Sequence, residues 1–439
     1  MRPTSALSGS RDDLVQQDAA FFLHQAASTP CRAAVERAES IWLVEKGGRR
    51  VMDFHGNSVH HIGYAHPALV AALKAQLDNL VFSPRRFTNE AAVGLARRLA
   101  ALAPPPLAKV LFAPSGSNAV EIALRLARVA TGRFKTVSFW DAFHGAGFGA
   151  SSVGGEAEYR SGRNGPLLPG AEHVPPCTCY RCPLGYPESE GRPLLDVCRT
   201  ACARLIRTVL EKEGDVSAVI AEPVRSTAHV PPPGFWPEVR AACDAHGALL
   251  IFDEIPNGLG KTGRLFAFEH FGVVPDIVVL GKALGGGILP LAAVIARAGL
   301  DVAGHLSIGH YTHEKNPLCA RAGLATLDIL EAEGLVGRAA ELGTYALAWL
   351  RQRFARHPLV GDVRGLGLRL AVELVEDRVT KRPACAAAAR VQAAAFARGL
   401  NFSVSGGNVL VLSPPLVIGR TDLEAALEIL AACLTEPTG

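Results

Sequence analysis

The stretch LLIFDEIPNGLGKTGR, Leu249 to Arg264, is an apolar run that stops in two carboxylates, Asp253 and Glu254. A carboxylate delivered by a buried strand needs a cation or donors to offset its lost hydration. Further along, Lys282 closes a second apolar run in PDIVVLGKALGGG, where desolvation favours the neutral, nucleophilic amine. In PSGSNAVEIALRLAR, Gly116 and Ser117 stand immediately before a helical pattern. Backbone N–H groups, a hydroxyl and the helix dipole bind a phosphate at such a place. Phe143 and His144 follow another run in KTVSFWDAFHG, and Glu222 follows one more in VSAVIAEPV. Each feature also has an ordinary explanation. Serine before a helix is a cap, aspartate after a strand is a turn residue, lysine among glycines is solvated, and a Phe-His-Gly turn is packing.

Taken together, these residues supply a phosphate cradle, a flat aromatic face, a fixed negative charge and a desolvated amine. That set describes a pyridoxal phosphate site. Lys282 would form the Schiff base, and Asp253 would keep the ring nitrogen protonated so that the ring accepts electrons from an adjacent carbanion. The cation awaiting Asp253 is then a pyridinium.

Unbroken apolar strands alternating with helical patterns indicate a sheet covered on both faces, hence an α/β fold with a mostly parallel sheet. Ligands gather at the carboxyl ends of such strands, where Gly116, Ser117, Phe143, His144, Glu222, Asp253 and Lys282 all fall. The first unit reads as a strand at Val110–Phe112, a turn at Pro114–Asn118 and an amphipathic helix at Ala119–Ala130. The flanks differ. IWLVEKGGRRVMDF reads as a hairpin with glycines in its turn. Beyond Asn316 the pattern is mostly helical, with VGDVRGLGLRLAVELV and NVLVLSPPLVI as later strands. The expected division is an N-terminal segment, 1–84, contributing to a small α+β domain, a large cofactor-binding domain, 85–325, and a C-terminal part of the small domain, 326–439.

With 439 residues and 49% hydrophobic content, the chain can bury a large core. The net charge of +4 is not clustered, which argues against a nucleic-acid partner. No apolar run reaches the length of a membrane span. The polar start lacks the apolar core of a signal peptide, so a cytoplasmic protein is expected. Of ten cysteines, five lie close together: Cys177, Cys179, Cys182, Cys198 and Cys202. They read either as a zinc or cluster site or as a proline-rich surface loop with reduced thiols. Two clean C-x-x-C pairs are absent, and no metal is expected.

PSGSNAVEIALRLAR, DAFHGAG, AVIAEPV, LLIFDEIPNGLGKTGRLFAFEHFGVVPDIVVLGKALGGGILPLAAVIA and THEKNPLCARAGLATL occur in this order. From about Ile41 to about Leu430 the chain resembles the class III aminotransferases, pyridoxal-phosphate enzymes of fold type I. The resemblance implies that Gly116 and Ser117 bind the phosphate, Phe143 stacks on the ring, Ile255 packs on its other face and Asp253 pairs with its nitrogen. Lys282 is implied as Schiff-base lysine and general base, and Glu222 as the site glutamate. Thr312 is implied to reach the phosphate in a neighbouring subunit, which implies a homodimer with sites at the interface.

Two positions depart from the family pattern. Pro256 stands where the family carries a glutamine that touches the ring hydroxyl, leaving Asn257 or a water for that contact. Val411 stands where many members carry an arginine for a substrate carboxylate; a bidentate arginine suits an α-keto-acid acceptor. DFHGNSVHHIGY, SPRRFTN, DEIPNGLG and GHYTHEKNP are similar instead to a subgroup of lyases acting on (R)-1-hydroxy-2-aminoethylphosphonate. The polar residues there include His55, Asn57, His60, His61, His310, Tyr311 and His313, each of which also reads as an ordinary satisfied polar group. Arg85, Arg86 and Lys315 are the candidates for the phosphonate. The implied reaction is ammonia release. The alternative is an ω-aminotransferase using an α-keto acid, and a non-enzymatic sensor is disfavoured by the joint presence of Lys282 and Asp253.

Overall fold

The computed structural model describes residues 11–26, 28, 29, 31–186 and 194–435. Residues 1–10, 187–193 and 436–439, over which the domain division and the loop before Cys198 extend, lie outside them. Seven strands form the central sheet: β1 (Leu107–Ala113), β2 (Lys135–Phe139), β3 (Ala171–Val174), β4 (Val216–Ala221), β5 (Leu249–Asp253), β6 (Ile277–Leu280) and β7 (Ala292–Arg297). Their order is β1-β7-β6-β5-β4-β2-β3. The ladder from β6 through β5, β4 and β2 to β3 is parallel. Only β7 runs against its neighbours, β1 and β6.

Strand parity distributes the side chains. On one face, Ala218, Ile220, Ile251, Ile277 and Val279 pack with Val120, Ile122, Ala123 and Ala127 of the helix Gly116–Thr131. On the other, Val219, Ala221, Leu250 and Phe252 pack with Ile206 and Leu210 of helix Ala201–Glu213 and with Trp236 and Val239 of helix Phe235–His246. Both faces are dry, which is why these strands are unbroken apolar runs. The helix after β1 starts at Gly116, three residues ahead of the expected Ala119, because the Ser115 hydroxyl accepts the Asn118 N–H at 3.2 Å and caps it there.

Two smaller sheets flank this layer. The expected hairpin is present, Trp42–Glu45 antiparallel to Arg50–Asp53. Its second strand also pairs in parallel with Leu400–Asn401, setting Met52 opposite Leu400 and Asp53 opposite Asn401. The two ends of the chain therefore share a sheet. Buried Asp53 ties them further: Oδ1 accepts from His55 N–H at 2.9 Å and Asn401 Nδ2 at 2.8 Å, and Oδ2 accepts from Tyr64 Oη at 2.6 Å. The other sheet is antiparallel, in the order Val360–Leu366, Arg369–Leu374, Val409–Leu412, Ser403–Ser405.

The turn between the first two of these strands is pressed against the stretch after β5. Leu368 N–H donates to Lys261 O at 2.9 Å. Gly367 has φ +55°, and a Cβ there would lie 2.3 Å from Thr262 C. Gly367→Ala is therefore expected to cost about 2–4 kcal/mol, combining left-handed strain with overpacking against backbone. Urea unfolding would measure it, and a loss within 0.5 kcal/mol would show that the turn moves freely on the 261–263 stretch.

Candidate active site

The strand parity that buries Ile251 beside the helix Gly116–Thr131 sends Asp253 to that same face. Asp253 is 1% exposed. Its Oδ1 accepts Ile255 N–H at 3.0 Å, and its Oδ2 lies 2.8 Å from His144 Nδ1. With a proton on Nδ1, the imidazole donates to the carboxylate and fixes its plane. His144 Nε2 is buried and meets no partner among the described residues. Glu254, one residue on, has a different fate. Its Oε1 accepts Phe268 N–H at 2.9 Å, and burial pushes its pKa up to about 8. The paired carboxylates are thus split: Asp253 faces the site, while Glu254 fastens the turn before Phe268.

Lys282 lies two residues beyond β6, in one turn of 3-10 helix, with φ +45°. A non-glycine residue held there is strained. Among the described residues its Nζ has no hydrogen bond or ion pair. Burial first, then the Arg369 guanidinium, push the amine below its ordinary pKa, against the pull of Glu222 and Asp253. Glu222 directly follows β4. Burial and the neighbouring Asp253 push its carboxyl upward, and its Oε2 accepts Ser226 N–H at 3.3 Å.

Lys282 closes two cavities. One, of about 300 Å³, is lined by Ser115, Gly116, Val59 and Gly287–Leu291. The other, of about 640 Å³, is lined by His55, Asn57, Ser58, Glu156, Arg225, His229, Arg369 and Val411, among others. The first lies at the start of the helix, where the first intrahelical bond is Ala119 N–H to Ser115 O at 3.0 Å. The N–H groups of Gly116 and Ser117 precede that bond and are open to an anion. A Cβ at Gly116 would come within 2.8 Å of Ile255 Cδ1, so glycine keeps this cradle clear. The donor set fits a pyridine ring that carries a phosphate: N–H groups and a hydroxyl at the helix start, an unpaired amine, and the buried Asp253 carboxylate, which lines neither cavity but acts electrostatically on that amine.

The other expected residues are placed as follows. Phe143 is half-buried, with its ring 4.7 Å from that of Tyr159. Ile255 packs beneath Gly116. Arg85, Arg86, Thr312 and Lys315 line neither cavity of Lys282. They belong to two segments that lean on each other, since Arg85 Nη2 lies 2.5 Å from His310 Nε2 and Asn89 Nδ2 donates to Lys315 O at 2.9 Å. Asn257, a candidate for the ring hydroxyl, is engaged at both ends: its Nδ2 donates to Val224 O, and its Oδ1 accepts Arg369 Nε at 2.9 Å. His60 and His61 are core residues, at 2.9 Å from Asp53 O and 3.2 Å from Gly258 O. Cys177, Cys179, Cys182, Cys198 and Cys202 line one small cavity with Pro176 and Pro183. Among the described residues no three metal-ligating side chains converge.

Sequence reasoning missed Arg369 and Ser58. For Arg369 the signal was present, because GLGLRLAVELV is an apolar run opened by a charge, the same kind of cue that marked Asp253. Ser58 carried no signal, since only its turn conformation aims it.

The profile of the family "Aminotransferase class-III" matches residues 23–434. This chain is a class III aminotransferase-family protein. It is 44% identical over 424 residues to an (R)-1-hydroxy-2-aminoethylphosphonate ammonia-lyase from Vibrio splendidus, covering 95% of this chain and 88% of that protein. It is 37% identical to an acetylornithine aminotransferase from Methanopyrus kandleri, covering 90% and 94%. Among solved structures, an (S)-enantioselective ω-transaminase from Thermomicrobium roseum superposes with a TM-score of 0.89 at 31% identity, covering 98% and 99%. The class III family is pyridoxal-phosphate-dependent, and the mixed seven-stranded sheet is that of fold type I. No helix among the described residues is long and apolar enough to cross a membrane.

The raised Glu254 pKa has a consequence for this class III fold. The folded state binds that proton more tightly than the unfolded chain does, so stability falls as pH rises from the ordinary value of 4.5 toward 8. Glu254→Gln keeps an acceptor for Phe268 N–H and removes the titration. Its stability relative to the parent is expected to grow by on the order of 2–3 kcal/mol between about pH 5 and pH 8. Urea midpoints at several pH values would test this, and parallel profiles would exclude it.

Proposed function

We propose that this chain is a pyridoxal-phosphate-dependent lyase that releases ammonia from (R)-1-hydroxy-2-aminoethylphosphonate and yields phosphonoacetaldehyde. The observation that carries the reading is the 44% identity, across 95% of the chain, to a lyase of that name. The geometry agrees with it, since an unpaired lysine closes a cavity that holds basic groups and has Val411, not arginine, on its wall.

Bound pyridoxal phosphate supplies a carbonyl that condenses with amines and a ring that accepts an electron pair from the neighbouring carbon. In the proposed arrangement Gly116 and Ser117 hold its phosphate, and Thr312 does so from a second copy. Phe143 and Ile255 flank the ring. Asp253, oriented by His144 and Ile255 N–H, keeps the ring nitrogen protonated. Glu222 is the buried acid of the site. Lys282 Nζ, biased toward its neutral form by burial and Arg369, takes a proton from the amine-bearing carbon. The hydroxyl on the adjacent carbon then departs as water. Addition of water to the resulting enamine releases ammonia and leaves the aldehyde, so every atom is accounted for. Arg85, Arg86 and Lys315 reach the substrate only if a second copy brings its 80–89 and 310–315 segments to this site. Leu77, Val81, Phe82, Phe87 and Val93 are exposed along the same stretch, and a homodimer would cover them.

A second reading, ω-aminotransferase, is favoured by the likeness to the Thermomicrobium roseum ω-transaminase. The two readings share every step up to proton removal and differ in where the proton goes next.

Loaded enzyme supplied with the hydroxyaminophosphonate and no keto acid is expected to release ammonia over many turnovers. Lys282→Ala should lower that rate by more than about 1000-fold. If the parent enzyme instead takes up one equivalent of amino group per site and stops with no ammonia, the aminotransferase reading replaces the lyase.

A further inference from the structure

Arg369 opens the strand Arg369–Leu374, is 3% exposed and lines the larger Lys282 cavity. Its Nε donates to Asn257 Oδ1 at 2.9 Å, and its Nη2 donates to Ser58 Oγ at 3.0 Å and to Pro256 O at 2.5 Å. Three neutral acceptors hold the fork in place, yet among the described residues no carboxylate pairs with it and no acceptor meets Nη1. Arg364, five residues earlier on the facing strand, shows what a structural buried arginine looks like here: it is ion-paired to both Asp362 and Glu373. A buried cation lacking a counter-ion is costly. The fold nevertheless spends a strained turn on it, with Asn57 at φ +46° and Ser58 at φ +60°, the latter bringing its hydroxyl to Nη2.

Glu222 acts on this guanidinium only from beyond ion-pair distance, which leaves Nη1 open to an anion that is not part of the chain. We propose that Arg369 is the residue that binds the anionic end of the substrate, with the reacting amine directed toward Lys282. The assignment deepens the proposed function and rests on it for the identity of the anion as a phosphonate. His55 lies on the same wall. Burial lowers its pKa against the pull of Asp53, and the Arg369 guanidinium lowers it further, so His55 adds a neutral imidazole beside the guanidinium. The cation sits one strand over from the valine of the VLSPPL stretch. Val411 pairs with Ala371, two residues along the strand that Arg369 opens, so both strands deliver side chains to one wall. A phosphonate or carboxylate can take the free Nη1 of a guanidinium already oriented for it.

The test is binding of 2-hydroxyethylphosphonate, which lacks the amine and cannot react at Lys282, measured by calorimetry on loaded enzyme. Arg369→Gln is expected to weaken it on the order of 10- to 100-fold, the range for losing a charge-assisted hydrogen bond. Arg369→Lys should recover part of that, and cofactor content should be unchanged. Unchanged affinity in Arg369→Gln overturns the proposal. So does loss of cofactor with analogue affinity intact in the fraction still loaded, because the guanidinium would then face the cofactor. If Arg369→Gln does not fold, Ser58→Ala decides, with a several-fold weakening in support and none against. If the parent binds 3-hydroxypropanoate but not the phosphonate, and Arg369→Gln abolishes that binding, the arginine assignment stands while the phosphonate reading falls.

Discussion

A charge taken out of water must be paired or hydrogen-bonded, and the carboxyl edge of the central sheet gathers several within one region. Asp253 ends β5, Glu222 directly follows the neighbouring β4, Lys282 follows β6, and Arg369 arrives from another sheet. Burial displaces the proton affinities of Glu222 and Lys282, and their charged neighbours modify the result. Glu222 is driven up by burial and by Asp253, and Lys282 is driven down by burial and by Arg369. Such a cluster is tolerable where a charged ligand completes the balance, which is the ordinary physical origin of perturbed groups at active sites.

The rest of the architecture supports that edge. The dry faces of the sheet hold the strand ends still, so Asp253, His144 and Ile255 N–H meet at about hydrogen-bond distance without any flexible linker between them. The flanking sheets bring in what the central sheet cannot supply. Asp53 binds Asn401 and shapes the turn that carries His55 and Ser58. The turn at Gly367 sits on the backbone of Lys261 to Gly263 and so sets the height of Arg369 above the site. Chain ends far apart in sequence therefore form the wall opposite Lys282.

How much of this was legible in the sequence varies residue by residue. Gly116, Ser117, Glu222, Asp253 and Lys282 were legible because each interrupts an apolar run at its end, and in an α/β sheet that end is where ligands gather. Glu254 was not separable from Asp253 by type or position, and only the direction of the chain after β5 divides their tasks. His60 and His61 read as satisfied polar groups or as part of an anion site, and only the fold sets Asp53 O and Gly258 O beside them. Arg85, Arg86 and Lys315 share charge with the site but not location within one chain. Composition cannot report proximity, and the guanidinium groups that line the larger Lys282 cavity within one chain are those of Arg225 and Arg369.

The sequence by itself pointed to an α/β fold, through apolar periodicity, and to pyridoxal phosphate with Lys282 as its proposed amine, through residues at strand ends; fold type I came with the resemblance to class III aminotransferases. The tertiary structure alone decided which charges share a cavity. Asn257, Ser58 and Arg369 come from three distant segments, and their contact depends on sheet pairing between the two ends of the chain and on a turn pressed against β5's exit. Neither is a local property of any stretch. Contacts of that range are set by how whole layers pack, and no spacing along the chain encodes them.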